Sequence, residues 1–470
     1  MQKQFIKFQK WLILFVMTLS VFMATLDGSI VNIALPVISK ELNVSISSIQ
    51  WIVTSYFLVI SISLLIWGKL SDVYGKKKIF TLGFVTFTIG SALCGISTDL
   101  KFLVLSRIIQ GIGASSMMAL SQGIVTEIFP SKERGKALGI IGTTVSIGSL
   151  VGPSLGGVLI YTFSWKYIFF INIPIGIIGM ILSIIILPKI QTVPKSKPFD
   201  FIGTFLFNTS ILLLFLSLLF IQEGTISTSL FIIMILLSVV TMILFLKYEK
   251  VRENALINLQ LFKIKEFSLG LSSAYMAFIS ISSILLFIPF YLQFVLNLNT
   301  IKAGILISFF PITSAIVAPI SGWLSDKLTY KPLTLIGLSI NTITLIFISF
   351  LNANTKLFVI AILMSLLGAG NSMFQSPNTS SIMGSVPKKH LGIAGGTNAL
   401  SRNLGLVSGT TFSVLIFSLV TKMNINSLSS SATLTNSSLF LKGYKFVILS
   451  TVIFTIAALL INLKRIEKSS

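Results

Sequence analysis

The feature that most constrains this chain is a series of long apolar runs separated by short polar segments. A run of about 20 apolar residues is long enough to cross the hydrocarbon core of a bilayer, which is roughly 30 Å thick. Inside lipid, a spanning segment must satisfy its own backbone hydrogen bonds, so it forms a helix or part of a closed barrel. The strand-like alternation of a barrel is absent, so the sequence predicts an all-α polytopic membrane protein. We count fourteen spans, at residues 11–35, 48–68, 79–97, 101–125, 137–161, 166–187, 200–221, 227–247, 268–294, 302–323, 332–351, 356–376, 394–420 and 443–463.

The charged residues support this count and indicate an orientation. They make up 10% of the chain, whereas a soluble domain carries about 25%. With the N-terminus placed in the cytoplasm, 25 of the 35 Lys and Arg residues fall in interior segments and 8 in exterior ones. This split follows the positive-inside rule, so we expect a multi-pass protein of the cell membrane with both termini in the cytoplasm. The positive charges sit in short loops rather than in a basic domain, so we expect no nucleic-acid partner.

The residues that usually carry enzyme chemistry are scarce. The chain has one histidine, His390, and one cysteine, Cys94. A metal site of the His/Cys kind needs several such ligands, and a triad needs a suitably placed base. No phosphate-binding loop of the G-x-x-x-x-G-K-[ST] type is present. We therefore expect neither an enzyme nor a bound cofactor or metal.

An internal repeat divides the chain. The pattern G-x-L-S-D occurs at residues 68–72 and again at residues 322–326, where it ends in Asp326. Both copies follow the second span of a group of six, and the offset between them is 254 residues. Repeated halves with a binding site between them are a usual transporter architecture. The predicted division is an N-terminal six-helix bundle at 1–188, an inserted helix pair with its connection at 189–265, and a C-terminal six-helix bundle at 266–470.

One carboxylate, that of Asp27, lies deep in the first apolar run. A charged side chain at bilayer depth costs about 2.5–3.5 kcal/mol even on the lenient insertion scale. Such a residue is by default a proton or cation site that faces the protein interior. The alternative is an aspartate that caps or pairs inside the helix bundle.

Two arginines also fall within spans. Arg107 shares one helix face with Gln110 and Gly111, which follow it at i+3 and i+4. A buried arginine there needs a carboxylate or backbone oxygens as partners, unless its side chain snorkels to the membrane surface. Arg402 is placed near the cytoplasmic end of span 13, where the alternative to a functional role is simple anchoring of the helix.

The segment after the second span predicts a tight polar turn. Gly68 and Gly75 permit close approach and a sharp change of direction. Asp72 lies between them and is placed to cap a helix or to pair with a base such as Arg134. Lys76 begins the basic stretch that follows.

The fifth span carries a stripe of small residues. Gly148, Gly152 and Gly156 recur at four-residue intervals, which permits close packing between helices. Pro153 removes one backbone hydrogen bond and bends the helix. Gly157 completes the pattern G-x-x-x-G-P-x-x-G-G.

The most specific pattern surrounds Asp27. Residues 26–36 read L-D-G-S-I-V-N-I-A-L-P, with Ser29 and Asn32 after the aspartate. Taken with the motifs above, this segment resembles the fourteen-helix drug:proton antiporters of the major facilitator superfamily. The resemblance covers nearly the whole chain, although its specific motifs lie mostly in the first half. The sequence departs from the family pattern at Val73, where a basic residue is common, and at Ser29, which replaces threonine.

The resemblance implies a fold of two six-helix bundles with an inserted helix pair, and a role for Arg107 in proton transfer. It also implies that the glycine stripe of span 5 packs against span 10 of the other bundle and acts as a gate. The predicted function is a proton-coupled secondary active exporter that expels lipophilic drugs or toxic compounds by alternating access. The expected partners are a lipophilic small-molecule substrate, protons and the lipid bilayer, and we expect a monomer. A dedicated exporter of a single metabolite, antibiotic or lipid is the alternative, and a non-transporting membrane sensor is a remote one.

Overall fold

The computed structural model describes residues 2–44, 46–49, 51–188, 200–223, 226–252, 255–422 and 437–465. In this part of the chain, fourteen helices are long and apolar enough to cross a membrane, and no residue lies in a β-strand. The predicted all-α architecture and the predicted count are confirmed. In chain order, these helices are α1 (Gln2–Glu41), α2 (Trp51–Tyr74), α3 (Lys76–Gly95), α4 (Leu100–Ile128), α5 (Ser131–Thr162), α6 (Tyr167–Ile186), α7 (Phe201–Glu223), α8 (Thr228–Val251), α9 (Lys265–Phe290), α10 (Thr300–Leu328), α11 (Tyr330–Ser349), α12 (Leu357–Gly384), α13 (Leu391–Thr421) and α14 (Ser437–Leu463).

Several helices extend past the apolar runs that predicted them. Helix α5 begins at Ser131, although the predicted span begins at residue 137. Helix α2 continues through Asp72 to Tyr74, so the predicted polar turn is largely the last turns of a helix. The chain reverses at Gly75, whose φ of 98° lies in the region that favours glycine. These polar helix ends fold because groups in the other half of the molecule satisfy them, as described below.

Each six-helix group packs largely within itself. In the first group, α1 packs against α5, and α4 packs against α2 and α3. In the second, α9 packs against α13 and α14, α10 against α12, and α11 against α12 and α14. Helices α7 and α8 pack mainly against each other, and α7 also touches α2 and α13. Residues 189–199, which belong to the predicted insertion, lie outside the described residues, and the three-part division of the chain stays a prediction.

The two groups meet through α5 with α10 and α12, and through α13 with α2 and α4. The sequence repeat makes α10 the counterpart of α2 and α13 the counterpart of α5. The α5–α10 and α2–α13 contacts are therefore equivalent in the two halves. Helix α8 lies away from this interface and exposes apolar side chains such as Ile232, Ile233 and Leu236, each at least half exposed. Such a face suits contact with lipid rather than water.

Candidate functional site

The carboxylate of Asp27 is fully buried and has three side-chain partners from two other helices. One oxygen, Oδ2, accepts a hydrogen bond of 2.5 Å from Nη1 of Arg107. The other, Oδ1, accepts from Nε2 of Gln110 at 2.8 Å and from Nδ2 of Asn172 at 3.0 Å. The two alternatives drawn from the sequence therefore hold together, because Asp27 faces the protein interior and is also paired inside the helix bundle.

Arg107 is also fully buried, so the snorkelling alternative is wrong. Its Nε donates to the backbone oxygen of Ile52 at 3.0 Å, and Nη1 also donates to Oε1 of Gln110 at 2.6 Å. The guanidinium lies 4.0 Å from the ring centroid of Tyr56, a cation–π contact. Its second terminal nitrogen, Nη2, is buried and has no hydrogen-bond partner among the described residues. The ion pair is therefore strongly held, yet one donor remains unsatisfied.

Gln110 and Gly111 act beside this pair as their helical spacing predicts. Nε2 of Gln110 also donates to Ser91 of α3 at 2.5 Å, which joins three helices in one network. A Cβ atom added at Gly111 would lie 3.0 Å from the backbone oxygen of Tyr56, so a glycine permits α2 to approach α4 closely here. Asn32, by contrast, is exposed on a different face of α1 and is not part of this network.

Sequence reasoning missed Asn172 and Tyr56 as members of this site. Asn172 follows a break in α6, where Tyr167–Phe170 and Asn172–Ile186 form separate helical segments. In the sequence, Asn172 is marked only as a polar amide near the start of an otherwise apolar run. Tyr56 carried a weaker signal, since a tyrosine within a membrane span is ordinary. Its hydroxyl donates to the backbone oxygen of Ala24 at 3.2 Å.

The glycine stripe of α5 packs against α1, so the predicted packing against span 10 is wrong. A Cβ atom built at Gly148 would lie 2.2 Å from Oγ1 of Thr25, and one at Gly152 would lie 1.9 Å from Oγ of Ser29. Gly156 meets Ile30 in the same way. Ser29 donates to the backbone oxygen of Gly148 at 3.1 Å, which ties the two helices together.

The last glycine of the motif does not take part in the contact with α1. No atom lies within 4 Å of a Cβ built at Gly157, and Pro153 is partly exposed. The spacing correctly indicated a close helix contact, but the partner is the helix that carries Asp27. Repeated small residues define a face for packing and carry no information about which helix covers it.

A different stretch of α5 meets α10. A Cβ atom at Gly135 would lie 2.3 Å from the backbone oxygen of Gly322, and one at Gly139 would lie 2.4 Å from that of Ala318. Further along, Oγ1 of Thr143 donates to the backbone oxygen of Ala315 at 2.8 Å. Helix α5 thus contacts the opposite half through its first turns and α1 through its later turns.

The two motif aspartates bind helix beginnings in the opposite half. The carboxylate of Asp72 accepts from the backbone N–H groups of Gly392 and Ile393 at 3.2 and 3.4 Å, at the start of α13. The carboxylate of Asp326 accepts from those of Gly135 and Lys136 at 2.7 and 2.9 Å, near the start of α5. Gly392 and Ile393 belong to the first turn of α13, where backbone N–H groups are free, whereas Gly135 and Lys136 are the fifth and sixth residues of α5. The positive end of the helix dipole favours a carboxylate near either helix start. Asp72 therefore caps a helix, and the alternative pairing with Arg134 is wrong.

The other residues of the first motif support the same closure. A Cβ atom at Gly68 would lie 2.7 Å from the backbone oxygen of Gly392, so the glycine permits the approach of α13. Lys76 is buried at the start of α3 and donates to Oε2 of Glu127 at 2.5 Å. We call the end of the molecule that carries Asp72 and Asp326 the motif end.

A separate cavity lies between α4 of the first half and α9, α12 and α13 of the second. Its polar lining is rich in amides, and Phe278 and Phe374 supply aromatic walls; the polar side chains are Gln122, Gln375, Asn378, Thr379, Asn398 and Arg402. The cavity has a volume of about 10 Å³, room for about one water molecule. Drug-sized ligands usually occupy roughly 300–1,000 Å³. This arrangement is therefore contracted relative to a loaded site.

Arg402 lines this cavity, so the predicted position near a helix end is wrong. It lies eleven residues after Leu391, where α13 begins, and a helix rises about 16 Å over that distance. Its side chain makes no hydrogen bond or ion pair with the residues described, and it is partly exposed to the cavity. An anchoring role at the membrane surface does not fit this depth.

A second buried arginine was missed by the sequence analysis. Arg465 follows the last apolar run, where the sequence indicates only one more interior positive charge. Its side chain turns into the second half and is 1% exposed. It donates to Asn378 at 2.5 Å, to Ser381 at 2.7 Å and to Glu266 at 3.3 Å. Because Asn378 also lines the cavity, this network connects the cavity wall to the motif end.

Among the described residues, no group of three or more His, Cys, Asp or Glu side chains could hold a metal ion. The arrangement combines a fully buried ion pair between Asp27 and Arg107 with a separate amide-lined cavity between the two halves. These groups lie in the membrane-spanning part of the molecule.

Comparisons with known proteins agree with this geometry. The family model described as Major Facilitator Superfamily matches residues 17–410. The chain is 40% identical over 407 residues to the riboflavin transporter RibZ of Clostridioides difficile (strain 630), covering 86% of this chain and 87% of that protein. It is 30% identical over 399 residues to the multidrug resistance protein Stp of Mycobacterium tuberculosis (strain CDC 1551 / Oshkosh), covering 84% of this chain and 73% of that protein.

Solved structures resemble the fold as a whole. The human organic anion transporter MFSD10 superposes with a TM-score of 0.71 at 13% identity, over 96% of this chain and 99% of that one. The proton:xylose symporter XylE superposes with a TM-score of 0.67 at 17% identity, over 97% of this chain and 95% of that one. At such low identity, these similarities bear on the fold alone.

Proposed function

The chain belongs to the major facilitator superfamily, and from this premise we propose that it is a proton-coupled exporter of small molecules. It is a membrane transporter and not an enzyme. The observation that carries the proton-coupled part of the proposal is the buried pair of Asp27 and Arg107, which is the fully buried ion pair among the described residues. A carboxylate in this position changes its charge with a proton, and its partner then responds.

Protonation of Asp27 removes the counter-charge of Arg107. Leaving one member of a buried pair uncompensated costs about 3–5 kcal/mol. The neutral carboxyl retains hydrogen bonding to Gln110 and Asn172. The guanidinium keeps the Ile52 oxygen, Gln110 and the rings of Tyr56 and Phe169, but it has lost its charged partner. The arrangement in which Arg107 is enclosed thus becomes less stable, and a different packing of α1 and α4 is favoured.

Helix α5 connects this event to the opening of the transporter. Its later turns lie against Thr25 and Ser29, close to Asp27 in α1. Its first turns carry the N–H groups that Asp326 accepts from, at the contact with α10. A shift of α1 against α5 therefore moves α5 and weakens its contact with the opposite half at the motif end. This is a physical route from protonation to alternating access.

We propose that the motif end lies in the cytoplasm, with both termini on that side, because the positive-inside rule favours this orientation. Asp72 and Asp326 bind the opposite half at that end, which supports an arrangement closed toward the cytoplasm. Release of the Asp72 and Asp326 contacts opens the cavity to the cytoplasm for loading. We further propose that the working unit in the cell membrane is a monomer, since each chain contains both halves.

The substrate has two candidates, and relatives support each. The name of Stp, and that of the multidrug transporter protein MdtP of Bacillus subtilis (strain 168), favour lipophilic drugs as substrates. The 40% identity to a riboflavin transporter favours a dedicated transporter of a flavin-like compound. The amide-rich cavity suits the second candidate too, because carboxamides pair with the imide edge of a flavin ring.

The test uses purified protein in liposomes, with a pH gradient as the sole driving force. Tetramethylrhodamine methyl ester, a lipophilic dye, and tritiated riboflavin are assayed separately. We expect Asp27→Asn to abolish gradient-driven transport while exchange of labelled for unlabelled substrate continues, because asparagine keeps the shape but cannot titrate. The control is Glu41→Gln, which neutralises an exposed acid at the end of the same helix.

Wild-type rates of gradient-driven transport in Asp27→Asn would contradict the proposed coupling. Transport of riboflavin without transport of the dye would assign the dedicated function, and transport of the dye would assign the broader one. Because exchange is measured in parallel, loss of folding is separated from loss of coupling.

A further inference from the structure

Arg402 is a membrane-embedded cation that faces a cavity without a counter-charge. No carboxylate lines the cavity in the part of the chain that the structure describes. Among the same residues, Arg402 has neither an ion pair nor a hydrogen bond, although its side chain lines the cavity. An ionised group in a low-dielectric site is strongly unfavourable unless a partner or water compensates it.

The arginine of the first half shows what compensation looks like in this protein. Arg107 lies at similar remove from the ends of its helix and is met by Asp27, Gln110 and a backbone oxygen. Arg402 has the same chemistry and none of these partners. Its guanidinium, which carries five N–H donors, belongs to a side chain that lines the cavity.

Two of the amides that share the cavity lining with Arg402 already make hydrogen bonds. Nδ2 of Asn398 donates to Oε1 of Gln122 at 2.9 Å. Asn378 donates to the backbone oxygen of Gly270 at 3.1 Å and accepts from Arg465 at 2.5 Å. These bonds hold the amide wall in place, so it has little freedom to turn and accept from Arg402.

We propose that Arg402 binds the anionic head group of the transported molecule, with Phe278 and Phe374 packing against its apolar or aromatic body. The chemical class is an organic anion with one carboxylate, sulfonate or enolate group. The guanidinium fork matches such oxygens in a bidentate manner. This inference rests on the proposed function, since it takes the cavity to be the substrate site, and it narrows the substrate to anions.

The test measures binding in detergent, without any gradient, by fluorescence anisotropy. The probes are fluorescein, which is anionic at neutral pH, and tetramethylrhodamine methyl ester, a monocation on the same xanthene scaffold. We expect wild-type protein to prefer fluorescein, and Arg402→Gln to weaken fluorescein binding at least about tenfold while leaving the cationic dye unaffected. Arg402→Lys keeps the charge and should restore part of the affinity.

Two further variants sharpen the outcome. Gln375→Glu places a carboxylate in the same lining and should abolish the preference for fluorescein. Arg252→Gln removes an exposed arginine that stacks on Tyr248 outside the cavity, and it should change nothing. A wild-type protein that does not prefer fluorescein, or a preference unaltered in Arg402→Gln, would overturn the proposal. Because no proton gradient is used, Arg402-dependent binding stands even if the Asp27 experiment disproves proton coupling.

Discussion

The two aspartate caps between the halves should set the balance between closed and open forms. Each carboxylate accepts two backbone N–H groups of a helix in the opposite half, and hydrogen bonds to charged groups contribute about 1.5–3 kcal/mol. Asparagine keeps one acceptor oxygen and loses the charge, so we expect a loss of about 1–2 kcal/mol at each site. For the double variant Asp72→Asn/Asp326→Asn, this predicts a shift of roughly 30- to 1,000-fold toward the form that is open at the motif end.

The assay is pulsed electron spin resonance between two labels at the motif end. Lys132→Cys in the first half and Lys389→Cys in the second are exposed positions for the labels, and the native Cys94 is buried. We expect the distance distribution of the double variant to shift from a short to a long population, with each single variant giving an intermediate result.

The matched control is Asp99→Asn. Asp99 caps α4 by accepting from the backbone N–H of Phe102 at 2.9 Å, so the chemical change is the same but the contact stays within one half. The control should leave the label distance unchanged. A double variant with the same distance distribution as the control would refute the view that these caps hold the halves together.

Two other predictions concern packing and charge. Gly152→Leu should block transport at normal expression, because its first side-chain atom would collide with Ser29 of α1, whereas Gly157→Leu meets open space and should transport normally. Equal rates for the two variants, measured in the liposome assay, would show that transport does not require this close approach of α1 and α5. A bis-cationic analogue of the rhodamine dye should be transported more slowly than the monocation, because the cavity offers Arg402 and no carboxylate; comparable rates for the two dyes would contradict this.

Much of the architecture was open to prediction from the sequence. Fourteen helices follow from the lengths of the apolar runs, since a lipid-exposed backbone has few alternatives to a helix. The G-x-L-S-D repeat correctly marked two related positions, and the structure gives both aspartates the same task at opposite helix beginnings. The cost of placing Asp27 and Arg107 in a membrane indicated that both needed partners.

The sequence does not reveal which residues are the partners of these buried charges. Asp27 and Arg107 are 80 residues apart, and no local pattern pairs them. The spacing of the glycine stripe that contains Gly152 does not reveal that α1 is the helix it contacts. The sequence likewise presents Arg465 as a loop charge, although its side chain is buried.

The sequence by itself determined the helical class and the number of spans, because these depend on composition and on periodicity along one chain. Only the tertiary structure decided that Arg107 is neutralised by Asp27 while Arg402 faces a cavity. The physical reason is that helical spacing defines which face a residue occupies. The neighbour that covers that face depends on how all fourteen helices pack together, and that packing determines whether a charge is paired or available.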